Sequence, residues 1–239
     1  MRNRANFIGR LCLILFCAAL LGIFIFRNHP YIKGTINIVK DGGRRVFQKG
    51  ITIPDMYSEE DNNNNGVKDP IDIVNAAREE VENETVYVSN YYTGGYPPSS
   101  EGVCTDVIWR GFLQMGVNLK DLMDEDIAEN THSYPRVNGS PDPNIDFRRV
   151  LNQKVFFDKY AESLTTELIP WDEENLIEWQ PGDIVLFLTP TEHVGIVSDK
   201  RDKDGVPYFI HNSPPHAKEV KLSHILSYYT PAGHYRWRY

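Results

Sequence analysis

The sequence predicts an α+β fold, with helices first and an antiparallel sheet after them. Three observations point that way. Between residues 70 and 163 apolar residues recur at helical spacing. The last third instead consists of short β-rich runs, "GDIVLFL", "HVGIVSD", "PYFIHN" and "AGHYRWRY", divided by turn residues such as "KDG". A hydrophobic content of 41% with 12% aromatics is enough to bury a core in one domain of a 239-residue chain.

The first element is a membrane anchor over residues 1–28. No charge interrupts Leu11 to Phe26, and Phe7 to Gly9 extend the apolar run beyond Arg10. The run ends in the bulky "GIFIFRN" rather than in small residues, so an uncleaved single span is expected. Arg2, Arg4 and Arg10, with no acid near them, orient the N-terminus to the cytoplasm and the body outside. Beyond residue 27 the chain carries 21 basic against 33 acidic residues, a balance of −12. Such a body is repelled by phosphate backbones, which argues against nucleic acid as a partner. Cys12 and Cys17 lie in the apolar segment. Cys104 is then the sole thiol of an extracytoplasmic domain, and is either an intermolecular linker or a reactive group.

Residues 29–60 form a juxtamembrane segment of short β-prone pieces. Residues 61–72, "DNNNNGVKDPID", fit a calcium loop. Asp61, Asn63 and Asn65 supply oxygens, Gly66 takes the turn, the Val67 carbonyl follows, and Asp69 and Asp72 complete the set. Bound Ca2+ would be structural; the competing reading is an Asn-rich linker that needs no ion. A helix follows over about 70–83, with Asp69 as its cap and Pro70 at its first position. After the loop "TVYVSNYYTGGYPPSSEG", a helix begins at Cys104 and ends near Gly116. A thiol at a helix N-terminus is expected to have a lowered pKa.

"NLKDLMDEDIAEN" is a further helix, and another is expected near 147–163. Asp142, Asn144, Asp146 and Arg148 just before it either line a groove or cap that helix. In the sheet, His193 opens one strand and His211 ends the next, so both imidazoles fall at the same end. A cysteine, a base and an orienting partner are what nucleophilic catalysis needs. Zinc ligation by Cys104, His193 and His211 is the other chemistry open to this set, but the close ligand spacings of common zinc sites are absent.

"GVCTDV", "GDIVLF", "HVGIVSD" and "FIHNS", in that order, resemble the NlpC-type cell-wall peptidases, a bacterial branch of the papain-like cysteine hydrolases. With "PDPNIDFRRV" and "GHYRW", residues 70–239 resemble an uncharacterised bacterial domain family of that superfamily. The resemblance implies a papain-like fold, with Cys104 as nucleophile, His193 as base and His211 as the third, orienting residue. It places the oxyanion-side tyrosine at Tyr91 or Tyr92. Val103-Cys104-Thr105 stands where relatives have Asp-Cys-Ser, so Thr105 and Asp106 are the positions where pocket shape and substrate contact differ. The implied activity is amide hydrolysis in peptidoglycan, at the stem peptide or the sugar–peptide bond. The alternative is a non-catalytic, calcium-dependent cell-surface binding module on the same fold.

Overall fold

The computed structural model describes residues 49–238. The anchor expected over 1–28 and most of the 29–60 segment lie outside the described residues. Among the described residues no helix is long and apolar enough to cross a membrane. Residues from Gly50 onward make one unit built on an eight-stranded sheet.

Helix α1 (Asp69–Glu82) begins one residue earlier than the spacing suggested. Asp69 is not its cap. Lys68 holds the cap position without a side-chain bond, and the Asp69 carboxylate instead accepts from the Asn62 N–H and Nδ2. Two short strands follow, β1 (Val86–Tyr87) and β2 (Glu101–Gly102), then α2 (Cys104–Gln114) and α3 (Leu119–Glu129). The helix expected near 147–163 is divided. Asp146–Arg148 is a 3-10 turn, Arg149 is extended at φ −103° and ψ 123°, and α4 runs Val150–Tyr160. Two contacts hold the break: the Asp146 carboxylate accepts from the Asp142 N–H, and the Arg148 side chain is drawn inward to the distant Asp106.

The rest is β3 (Glu162–Ser163), the single turn α5 (Glu173–Leu176), β4 (Ile184–Thr189), β5 (His193–Arg201), β6 (Pro207–Ser213), β7 (His216–Lys221), α6 (Leu222–Leu226) and β8 (Thr230–Arg236). The strand order is β2-β1-β7-β6-β5-β4-β8-β3. Every pairing is antiparallel except β1 with β2.

Alternation along the strands divides the core between the two faces of the sheet. Ile184, Leu186, Val194, Ile196 and Ile210 meet the helices, packing with Ile73, Val107, Ile108 and Phe112. Val185, Phe187, Val197 and Phe209 face the other way, against Trp179, Leu222 and Ile225. Burial on both faces explains why "GDIVLF" and "HVGIV" read as near-continuous apolar runs. Each fully buried aromatic of this kind contributes about 1.5–3 kcal/mol. Gly195 marks the tightest place in β5. A Cβ there would overlap the Phe209 ring and stand 2.5 Å from the Ile210 carbonyl oxygen. His234 is structural, stacked on Trp179 at 4.0 Å and bonded through Nε2 to Asp183.

Candidate active site

Cys104 is the first residue of α2, directly after the extended Val103. The side chain of Asp106 fixes this helix start. Its Oδ2 accepts the Val103 N–H at 2.7 Å, its Oδ1 accepts Trp109 Nε1 at 2.7 Å, and Arg148 donates Nε and Nη2 to its two oxygens, both at 2.7 Å. Both partners of this ion pair are shut off from solvent. Thr105 is equally buried and donates its hydroxyl to the Arg148 carbonyl at 2.9 Å. Asp106, expected as a substrate contact, therefore faces the interior and, with Thr105, holds α2 against the segment before α4, while Thr105 also lines the cavity in front of Cys104.

Cys104 is buried, the residue 7% exposed. The N–H groups of Val194, Thr105 and Cys104 itself lie by its sulfur and favour the thiolate. Burial outweighs them and pushes the thiol pKa up to about 12. The expected lowering is thus reversed, because a helix terminus contributes only part of a charge whereas loss of water acts on the whole of it.

His193 and His211 are joined directly, Nε2 of the first to Nδ1 of the second at 2.7 Å. Among the described pairings, the β5–β6 ladder stops at Ile196–Ile210, and the imidazoles meet beyond that point. Burial, and after it the charge of Lys218, lowers the His193 pKa to about 4. Burial, His193 and Lys218 together lower that of His211 to about 3. At neutral pH the thiol and both rings are uncharged.

Cys104 and His193 meet through the backbone. The thiol lies by the N–H of Val194, the residue that follows His193, on the helix side of the sheet. The His193 ring lies on the other side, with Phe187, Phe209 and Tyr229 at centroid distances of 6.5, 6.4 and 5.8 Å. Among the described residues no hydrogen bond links Cys104 Sγ to an imidazole, and none engages His193 Nδ1. His193 and His211 line a cavity of about 230 Å³ with Ser213, Lys218 and His224. Cys104 lines a separate one of about 330 Å³ with Tyr87, Arg136, Arg148, Arg149 and Glu192.

Neither tyrosine expected at the oxyanion side lines that cavity. Tyr91 is exposed and bonds Asp142 at 3.1 Å; Tyr92 bonds Glu101 at 2.7 Å, with the Arg148 guanidinium 5.0 Å from its ring. Tyr87 does line it. Its phenol pKa is raised by burial and then by the negative charge Cys104 would carry when ionised. It arrives there because β1 pairs in parallel with β2, Tyr87 opposite Gly102, two residues before the thiol. Tyr87 lies in the same tyrosine-rich stretch as Tyr91 and Tyr92, and nothing in the local sequence singles it out.

In the 61–72 loop, Asn64 and Gly66 are left-handed at φ +58° and +85°. Asp61 accepts from the N–H groups of Asn65 and Gly66 at 3.1 and 2.9 Å. Asn63 and Asn65 both turn their Nδ2 to the Asp72 carboxylate, at 2.8 and 2.9 Å, and Asn65 Oδ1 takes the Val67 N–H. Four side chains of the expected ligand set thus converge, while Asp69 is turned to Asn62. A hard cation would need the two amides to present oxygen rather than nitrogen. Asn63 also bonds the Gln114 carbonyl at 2.6 Å, tying the loop to the end of α2.

The structure therefore defines an α+β domain with a buried thiol at a helix start and a histidine pair across the adjoining sheet. Residues 74–237 match the family described as Domain of unknown function (DUF1287), and the chain belongs to that family. It is 35% identical over 173 residues to "Uncharacterized protein YijF" of Escherichia coli (strain K12), a match covering 69% of this chain and 80% of that protein.

Proposed function

We propose that the chain is a membrane-anchored, extracytoplasmic cysteine hydrolase of papain-like, NlpC type that cleaves an amide bond in peptidoglycan. The observation that carries this is the contact of the Cys104 thiol with the Val194 N–H, one peptide from a histidine already paired to a second histidine at 2.7 Å. The order of the motifs, which resembles that of the NlpC-type peptidases, supports it.

In this reading His193 Nε2 is held by His211, leaving Nδ1 as the base. Because the resting thiol is neutral, its proton leaves as sulfur attacks: S–C forms, the carbonyl π pair moves to oxygen, and His193 Nδ1 takes the proton. Backbone N–H groups at the α2 start and the Tyr87 hydroxyl stabilise the oxyanion. Collapse breaks C–N, and the same proton goes to the leaving amine. Water then hydrolyses the thioester and restores the thiol. The ring must come within reach of sulfur, a rotation about the His193 side chain toward the split between β5 and β6. Ca2+ at the 61–72 loop would brace the α2 end through Asn63.

The second reading, a non-catalytic calcium-dependent binding module, is favoured by the neutral, buried thiol and by the position of the His193 ring. One experiment separates the two. Purified peptidoglycan is incubated with the full-length chain or with Cys104→Ala, and the soluble products are weighed by mass spectrometry. New muropeptide fragments with the unaltered chain alone support hydrolysis; identical spectra from both sink it.

A further inference from the structure

We infer that the cavity in front of Cys104 recognises a carboxylate on the substrate, with Arg149 as the group that selects it. The inference rests on the hydrolase reading and adds the chemical class of substrate: an amide bearing a free carboxylate a few bonds from the scissile carbonyl.

Three guanidinium groups line the cavity beside the thiol, against one acid, Glu192. They are not equivalent. Arg148 is fully engaged, its Nε and Nη2 on Asp106 and its Nη1 on the Asn90 carbonyl at 3.0 Å. Arg136 is paired with Glu192, at 50% and 29% side-chain exposure, so that pair is open to exchange with a competing anion. Arg149 is the most loosely engaged of the three. Its nearest acid, Asp146, stands 3.6 Å from Nε, and Nε is buried without a hydrogen bond. Among the described residues nothing accepts from its terminal nitrogens either, and the side chain is 41% exposed.

A planar donor fork held by a single long ion pair, beside a nucleophile, matches a carboxylate in geometry as well as in charge. Its backbone is held at the junction between the 3-10 turn and α4, so the fork is presented from a fixed point. The setting sharpens the signal, because the chain as a whole carries −8. A loosely paired cation in an acidic body favours an anion at that point.

The test uses the full-length Cys104→Ala chain, which keeps the cavity and cannot turn over, with N-acetylglutamate and N-acetylglutamine as probes. Titration followed by NMR or calorimetry should show the acid bound about fivefold more tightly than the amide, the scale of one exposed ion pair. The advantage should shrink with added salt. It should vanish in Cys104→Ala/Arg149→Gln and survive in Cys104→Ala/Lys200→Gln. Equal binding of the two probes, binding of neither, or an advantage indifferent to Arg149→Gln overturns the inference. Peptidoglycan cleavage by the unaltered chain is scored separately. Cleavage without the preference removes the carboxylate pocket alone, and the preference without cleavage removes the hydrolase alone.

Discussion

Asp106 is the residue on which the site's geometry depends, because one carboxylate holds the start of α2, the Trp109 indole and the Arg148 guanidinium. Removing it strands a buried cation and frees the helix start. Asp106→Ala is expected to cost about 3–5 kcal/mol, read from chemical denaturation; a loss under about 1 kcal/mol would mean Arg148 finds another partner. Its placement was half legible. The sequence marked positions 105 and 106 as unusual, but their meeting with Arg148, 42 residues on, is a tertiary event. Tyr87 went unmarked for the same reason, since only the pairing of β1 with β2 sets it beside the thiol.

At the scale of elements, β5 bears most of the constraint, packed on both faces and with Gly195 against Phe209. Gly195→Ala is expected to destabilise the fold by about 1–3 kcal/mol through overpacking, measurable as a lowered urea midpoint at unchanged slope. The 61–72 loop gives an independent prediction. Millimolar Ca2+ should raise the melting temperature and a chelator should reverse it, with the response lost in Asp72→Asn. A melting temperature indifferent to both would leave the amide–carboxylate bonds as all that closes the loop. The helical period located α1, α2 and α4 to within a few residues. It failed at Arg149, where a side chain drawn to a distant partner overrode local propensity.

For the molecule as a whole, the histidine pair links stability to pH. Both rings are held neutral, with folded pKa values of about 4 and about 3 against an ordinary 6.5. The unfolded chain therefore takes up protons first as pH falls. The stability these rings contribute is complete above pH 6.5 and drains away as pH drops from there toward about 4 for His193 and about 3 for His211. The melting temperature of the unaltered chain should fall across that window, and His193→Gln/His211→Gln should flatten the slope. An equal slope in both would place the acid sensitivity elsewhere. The same neutrality bears on reactivity: iodoacetamide should label Cys104 at neutral pH more slowly than a free thiol, as mass spectrometry of its peptide would show.

The sequence by itself determined the order of helices and strands, the split of hydrophobic character between them, and the thiol's position at a helix start. These are local matters, set by spacing a few residues long. Only the tertiary structure decided that the thiol is buried and neutral, that it lies by the Val194 N–H with no hydrogen bond to a ring, and that Arg149 is held by one long ion pair alone. Burial and hydrogen-bond satisfaction are sums over residues far apart in the chain, and no single stretch such as "EGVCTDV" contains them.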